Sequence, residues 1–125
     1  MLELSYVEEK NKVTELFMRI FGGETTFPDG IIVALVENGK EIGLAVANLY
    51  EGGAIVRLIG ILPEHRKQKK GDFFTRAFMY MLTVSGIPLY IDYYDAYYEK
   101  FGFSRVGEEK MKAEVIVYPS NCGGH

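Results

Sequence analysis

The sequence predicts one α/β domain (α+β in some schemes) with helices packed on a mixed sheet of about six to seven strands. Short apolar segments that end at glycine or proline turns predict the strands. Two longer segments carry apolar residues at helical spacing. Over residues 54–92 a strand, a helix and a strand follow one another, which predicts a parallel pair joined by a right-handed crossover.

The chain begins with a predicted strand and a predicted amphipathic helix. Apolar and polar residues alternate over residues 2–6, the pattern of a strand with one buried face. A helix is predicted over about residues 8–21, where apolar side chains recur at spacings of three and four: Val13, Leu16, Phe17, Ile20 and Phe21. Gly22 ends this helix, and we expect the loop over residues 22–30 to hold no second helix.

Three strands of an antiparallel meander are predicted next. Asn38-Gly39 is a strong hairpin signal, because both residues tolerate the positive φ that such a turn requires. Gly52 and Gly53 mark the second turn. Two of the strands are nearly continuous apolar runs, so we expect both of their faces to be covered. The predicted strands are 31–37, 41–50 and 54–62.

The second half of the chain is predicted to continue the sheet. A second helix is indicated by its apolar stripe: Phe74, Ala77, Phe78, Met81 and Val84. The segments expected after it are a strand over 88–92, a short helix over 93–101 and an antiparallel pair over 104–108 and 111–118. The domain therefore spans residues 1–118, and we expect 119–125, with Cys122 and His125, to be an inert flexible tail.

Composition excludes several classes of protein. Hydrophobic residues make up 48% of the 125 residues, and 9 tyrosines and 8 phenylalanines are too many for a disordered chain. The longest apolar run falls short of the ~20 residues of a membrane helix, and the N-terminus does not resemble a signal peptide. We therefore expect a cytoplasmic protein without a membrane partner. The net charge of −3 argues against a nucleic-acid partner.

A basic segment stands where the strand over 54–62 meets the second helix. A helix N-terminus offers unpaired N–H groups and the positive end of the helix dipole, which together bind anions. The residues that add positive charge there are His65, Arg66, Lys67, Lys69 and Lys70. Gly71 leaves room for a phosphate beside the backbone. A solvated basic face at the start of a helix explains the same pattern equally well.

Two motifs resemble those of the GNAT superfamily of acyl-CoA-dependent N-acetyltransferases. Residues 61–71, ILPEHRKQKKG, are similar to its acyl-CoA pattern, roughly V-x-P-x-x-R-x-x-G-x-G. Residues 96–103, AYYEKFGF, are similar to its second motif, A-x-x-Y-E-K-x-G-F. The element order matches across nearly the whole chain, which implies a GNAT-like, mostly antiparallel sheet with helices on both faces. Two departures are Lys69, at the first glycine of the pattern, and Lys67, where glycine is common.

The resemblance implies acetyl-CoA as co-substrate and no metal. The strand before Pro63 would hold the pantetheine arm through its backbone, and the two parallel strands would splay apart around the thioester. The helix N-terminus and the loop before it would hold the diphosphate, with charge from Arg66, Lys67 and Lys70. A lysine at position 69 can still offer its N–H if its φ is ordinary. The residues implied at the cofactor are Ile61, Leu62, Arg66, Lys67, Gln68, Lys69, Lys70, Gly71 and Asp72.

The resemblance also implies a general acid. Tyr98 matches the family tyrosine that lies near the sulfur. A phenol with a pKa near 10 keeps its proton at neutral pH and can donate it to a thiolate whose pKa is about 8.5. The alternative is that Tyr98 only packs in the core. The strand over 54–62 begins without a carboxylate, so Asp92 is the general-base candidate, ahead of Glu64, His65 and a chain of water molecules.

These expectations predict an N-acetyltransferase that moves an acetyl group from acetyl-CoA to an unknown primary amine. A slightly acidic site would suit a cationic amine. The tyrosines that either line the acceptor pocket or pack against the closing strands are Tyr90, Tyr93, Tyr94 and Tyr97. The alternative is a non-catalytic acyl-CoA sensor or interaction module on the same fold. The resemblance is also compatible with a homodimer.

Overall fold

The computed structural model describes residues 1–83, 88–93, 95–106 and 110–113. Within them, seven strands form one sheet in the order β1-β2-β3-β4-β5-β7-β6. The strands are β1 (Leu2–Val7), β2 (Ile31–Glu37), β3 (Lys40–Tyr50), β4 (Gly53–Ile61), β5 (Leu89–Ile91), β6 (Ser104–Arg105) and β7 (Met111–Ala113). Strands β4 and β5 are parallel and every other neighbouring pair is antiparallel, which confirms the predicted mixed, mostly antiparallel sheet.

Two α-helices and three 3₁₀ helices complete the described chain. They are α1 (Thr14–Phe21), α2 (Lys70–Thr83) and the 3₁₀ helices Lys10–Val13, Pro63–His65 and Ala96–Phe101. Gly60 of β4 lies against α1, because a Cβ there would meet Ile20 at 2.9 Å. Gly43 of β3 points to the opposite face, where a Cβ would meet the ring of Phe74 in α2 at 3.1 Å. The helices therefore cover both faces of the sheet, as predicted.

The central strands of the sheet are buried on both faces. Residues 32–35 of β2 and 42–47 of β3 are buried without a break, as their apolar runs predict. The turn between them holds Asn38 at a φ of +52° and Gly39 at +85°, the left-handed pair expected of this hairpin. All residues of 22–30 are described and none is helical, which confirms the open loop after α1.

The buried face of α2 differs from the predicted stripe. Phe74 and Phe78 are buried as expected, but Ala77 and Met81 are only partly buried, and Val84 lies outside the described residues. The residues buried in place of Ala77 and Met81 are Thr75, Met79 and Leu82. Apolar side chains occur on several sides of this helix, so periodicity alone leaves its rotation undetermined. Packing against the sheet decides it.

Several predicted boundaries also shift. The helix expected over 8–21 divides into a 3₁₀ turn and a shorter α1, which Gly22 ends at a φ of +91°. The tyrosine-rich segment forms a 3₁₀ helix that stops at Gly102 (φ +101°). The closing pair contains the short strands β6 and β7. The rest of that predicted pair and the tail over 119–125 lie outside the described residues.

Two methionines of α2 provide a matched test of the helix rotation. Replacing the fully buried Met79 with alanine should lower the free energy of unfolding by about 2–5 kcal/mol, because it leaves a cavity in the core. Replacing the partly buried Met81 should cost about half of that or less. Urea unfolding of both variants measures the difference. Equal losses, or a larger loss at Met81, would favour the stripe predicted from the sequence.

Candidate active site

The parallel strands β4 and β5 separate soon after they meet. They pair at three positions, Ala54 with Leu89, Ile55 with Tyr90 and Val56 with Ile91. Strand β5 ends there, whereas β4 continues to Ile61. Among the described residues, no strand pairs with that edge of β4 beyond Val56. Apart from the Ile61 carbonyl oxygen, which accepts from Arg66, the backbone groups along the edge are therefore open to a ligand.

A β-bulge bends β4 at the point of separation. Val46 of β3 pairs with Leu58 and Ala47 pairs with Val56, so Arg57 is an extra residue between them. Bulges increase strand twist and turn a strand away from its neighbour. We call the arrangement of β4 and β5 beyond their last pair the fork. The place where they part, at Arg57 and Asp92, is its vertex.

A cavity of about 500 Å³ follows the open edge of β4 from the fork to the first turn of α2. Its volume lies within the range of small-molecule sites. The residues that line it are Ile59, Gly60, Ile61, Arg66, Lys67, Lys69, Gly71, Asp72, Phe74, Thr75, Tyr97 and Tyr98. The site thus combines one strand edge, one loop, one helix N-terminus and the 3₁₀ helix Ala96–Phe101.

Two lysines in the loop before α2 adopt the left-handed conformation. The φ angle is +68° at Lys67 and +62° at Lys69. The φ of Lys69 is therefore not ordinary, so the condition under which a lysine here was expected to offer its N–H is not met, and the loop keeps a glycine-like course. This conformation costs a residue with a Cβ about 1–2 kcal/mol, and such strain is concentrated at functional sites.

The first turn of α2 opens on the cavity. The first N–H groups of a helix have no carbonyl partner within it, and here they belong to Lys70 and the two residues after it. A Cβ built on Gly71 would meet only Ile61 Cδ1, at 3.8 Å. Free space therefore lies beside the backbone exactly where an anion would approach it.

The basic side chains of this segment point in different directions. Lys70 Nζ lies 2.9 Å from Glu37 Oε1 and 3.0 Å from His65 Nδ1, so an acidic neighbour balances its charge. Arg66 donates to the carbonyl oxygens of Ile61 and Ile20. Within the described chain, Lys67 and Lys69 form no ion pair. They supply the unbalanced positive charge at the cavity, together with Arg66.

Tyr98 is buried at the inner end of the cavity, with 4% of its surface exposed. Its hydroxyl lies 2.6 Å from the hydroxyl of Tyr93, and either group can be the donor. The edges of the rings of Tyr97 and Phe103 pack around it. Burial raises the pKa of Tyr98 above its usual value, and the adjacent Tyr93 raises it further. Tyr98 therefore holds its proton throughout the neutral range.

Asp72 joins the first turn of α2 to the 3₁₀ helix that carries Tyr98. Its carboxylate accepts hydrogen bonds from the Tyr97 hydroxyl and from Lys100 Nζ, the latter at 2.9 Å. Burial by itself would raise the pKa of the Asp72 carboxyl, but these two hydrogen bonds outweigh it and hold the pKa below the usual range. Burial and the bond to Asp72 raise the pKa of Tyr97. The contact fixes Tyr98 relative to the loop.

Asp92 lies at the vertex and is paired. Its Oδ2 is 3.0 Å from Nε of Arg57, and both side chains are partly exposed. Of the tyrosines considered for the acceptor pocket, Tyr97 lines the cavity and Tyr93 contacts Tyr98. Tyr90 packs near Tyr50, with ring centroids 6.4 Å apart, and Tyr94 lies outside the described residues.

The structure brings most of the sequence-predicted residues together. Those that line the one cavity are Ile61, Arg66, Lys67, Lys69, Gly71, Asp72 and Tyr98. Leu62, Gln68, Lys70 and Asp92 do not line it, and Leu62 is buried with its N–H donated to Ile42. Sequence reasoning missed Ile59, Gly60, Phe74 and Thr75 as lining residues. Ile59 and Gly60 could have been predicted from the strand lengths. A strand that is longer than its parallel partner leaves its last residues unpaired on that edge.

The described residues contain no group of three or more histidine, cysteine, aspartate or glutamate side chains placed to hold a metal ion. None of the helices in that part of the chain combines the length and the apolar character that crossing a bilayer requires.

Comparisons with known proteins show similarity of structure. No protein-family model matches the chain, and no curated protein sequence matches it. The structure is similar to the ribosomal-protein-S18-alanine N-acetyltransferase of Escherichia coli, with a TM-score of 0.75 and 17% identity over 97% of this chain and 98% of that one. It is also similar to an acyl-CoA N-acyltransferase of Pseudomonas aeruginosa (TM-score 0.72, 15% identity, 90% and 99% covered).

A further similar structure contains bound acetyl-CoA. It is a GNAT family acetyltransferase of Brucella melitensis in complex with acetyl-CoA, with a TM-score of 0.62 and 14% identity over 96% of this chain and 97% of that one. At these identities the similarity establishes the fold. The resemblance to the GNAT superfamily is thereby confirmed at the level of architecture.

Proposed function

We propose that the chain is an N-acetyltransferase that uses acetyl-CoA and a primary amine. The observation that carries this proposal is the fork between β4 and β5, whose cavity runs from Tyr98 to the first turn of α2. A strand edge with free backbone groups, a phosphate-sized space at a helix N-terminus and a protonated phenol are aligned along one cavity. Acyl transfer from a nucleotide-bearing thioester needs each of them.

The residues at the outer end of the cavity fit a diphosphate. The left-handed Lys67 and Lys69 turn the chain toward α2, and the space beside Gly71 admits an anion to the helix N–H groups. Lys67, Lys69 and Arg66 add positive charge. From there, the open edge of β4 offers alternating N–H and C=O groups to an amide-containing arm, as a neighbouring strand would.

The inner end of the cavity fits proton donation to sulfur. Attack of the amine nitrogen on the thioester carbon forms a C–N bond, and the C–S bond then breaks. Tyr98 would protonate the departing sulfur, and the phenolate left behind would then accept a hydrogen bond from the Tyr93 hydroxyl, which lies 2.6 Å away. The free N–H groups of the β4 edge would stabilise the oxyanion between these two steps.

The proton lost by the amine needs an acceptor. Asp92 is the proposed general base, since it is the carboxylate that stands at the vertex. Its pairing with Arg57 occupies Oδ2, and no contact to Oδ1 is found among the described residues. A chain of water molecules through the open fork is the second acceptor in this proposal.

Gly71→Ala tests the diphosphate site. Alanine should raise helix stability by up to about 1 kcal/mol, because Gly71 has helical backbone angles and its Cβ has room. The same Cβ fills the anion space, so affinity for acetyl-CoA should fall about tenfold or more, the loss of one charge-assisted hydrogen bond. Thermal unfolding with and without acetyl-CoA measures both effects.

Gly23→Ala is the matched control for that experiment. Its Cβ would also meet a single side-chain atom at 3.8 Å, Met18 Cε, but it lies in the loop after α1. This variant should bind acetyl-CoA as the unaltered protein does. If millimolar acetyl-CoA does not change the melting temperature of the unaltered protein, that result would contradict the proposed function itself.

Tyr98→Phe tests the general acid. The variant should lower kcat about a hundredfold and leave KM for acetyl-CoA nearly unchanged, because the hydroxyl acts on the departing sulfur. Release of the CoA thiol reports turnover. Tyr6→Phe, a change at an exposed tyrosine whose hydroxyl contacts Met81, serves as the control. An unchanged kcat in Tyr98→Phe would show that Tyr98 is not the general acid.

A non-catalytic acyl-CoA sensor is the second candidate. Lys69 replaces a glycine of the acyl-CoA pattern, and Asp92, the carboxylate that the described residues place at the vertex, is already paired with Arg57. Binding of acetyl-CoA without CoA release across a broad panel of amines would favour the sensor over the enzyme.

A further inference from the structure

The vertex of the fork holds an arginine in a fixed orientation. Arg57 Nε lies 3.0 Å from Asp92 Oδ2, and its Nη1 donates to Asn48 Oδ1 at 3.1 Å. Asn48 in turn donates from Nδ2 to the carbonyl oxygen of Asp29, at 2.9 Å. The guanidinium is thus held between β3, the end of β5 and the loop after α1.

This arginine keeps donors free. Nε faces Asp92 and Nη1 donates to Asn48, so the further N–H groups of the guanidinium lie on Nη2 and at the second position of Nη1, and the Arg57 side chain is 39% exposed. Because the bulge makes Arg57 an extra residue, its position is set by the backbone. A guanidinium that is already oriented loses little entropy when it binds a planar anion with two parallel hydrogen bonds.

Its position relative to the cavity identifies what it would meet. The cavity follows β4 from the first turn of α2 back to Ile59, and Arg57 lies two residues further, at the vertex. With phosphates at the outer end and the thioester near Tyr98, the next group along this line is the acceptor. In that arrangement Arg57, which does not itself line the cavity, would lie nearer to the acceptor than to the nucleotide.

We propose that Arg57 binds a carboxylate of the acceptor, so that the acceptor is an amine that also bears a carboxylate, as an α-amino acid does. This inference rests on the proposed function and names its substrate class. It departs from the cationic amine that the overall charge of −3 favours, because the vertex holds a guanidinium with N–H groups beyond those that face Asp92 and Asn48. Asp92 and Asn48 act here as positioning residues for the guanidinium.

The test compares matched acceptors that differ in the carboxylate. The panel pairs leucine with isoamylamine, phenylalanine with phenethylamine and arginine with agmatine. Leucinamide is added because its amine is less basic than that of isoamylamine and it has no carboxylate. The unaltered protein should use each carboxylated member with a kcat/KM about tenfold or more above its partner, at equal concentrations of neutral amine. No preference, or preference for the decarboxylated members, would overturn the inference.

Variants of Arg57 assign the preference. Arg57→Gln should bring the ratio of kcat/KM within each acceptor pair close to one, mainly by raising KM for the carboxylated member. Arg57→Lys should keep part of the preference, since an ammonium retains the charge without the planar fork. Arg19→Gln, which breaks an exposed ion pair with Glu64, is the control and should keep the full ratio. An unchanged ratio in Arg57→Gln would overturn the inference, even if the carboxylated members are preferred.

Direct binding separates this inference from the proposed function. The unaltered protein is first titrated with acetyl-CoA, and failure to bind refutes the acetyltransferase proposal on its own. The same acceptor panel is then titrated by calorimetry, with CoA and without it, so that the carboxylate preference is measured without turnover. Binding of acetyl-CoA together with equal affinity for leucine and isoamylamine would leave the function standing and refute the role of Arg57.

Discussion

The separation of β4 from β5 is the constraint on which the rest of the site depends. A strand edge inside a folded protein must find partners for its N–H and C=O groups, and β5 supplies them at only three positions. The bulge at Arg57 directly follows the last of these pairs, and β5 itself ends at Ile91. The remaining edge borders a cavity of about 500 Å³, so a ligand with amide groups would complete the pairing in the proposed complex.

The loop that follows β4 is strained and firmly held. The two left-handed lysines, Lys67 and Lys69, would relax in a free peptide, because the strain at each is about 1–2 kcal/mol. Here the bonds from Arg66 to the carbonyl oxygens of Ile61 and Ile20 fix one end of the loop. The contact of Lys70 with Glu37 fixes the other end. The lysine side chains then place charge at the cavity while their backbone follows a path that glycine would take.

Local patterns in the sequence predicted the fold well, and long-range contacts account for most of what was missed. Apolar runs, the Asn38-Gly39 turn and the stop at Gly102 are local signals, and they located the strands and the 3₁₀ helix. The predicted rotation of α2 was wrong because the sequence alone does not distinguish Met79 from Met81. Packing against the sheet decides that Met79 is the buried one. The pairings of Lys70 with Glu37 and of Asp72 with Lys100 join residues far apart in the chain, so no spacing reveals them.

A crystal structure of the protein with CoA tests the account most directly. It should show the diphosphate accepting hydrogen bonds from the N–H groups between Lys69 and Asp72, beside Gly71, and the pantetheine arm along the free edge of β4. The φ angles of Lys67 and Lys69 should stay positive. CoA bound elsewhere, with the first turn of α2 facing solvent alone, would contradict the central claim that this fork and helix end form one binding site.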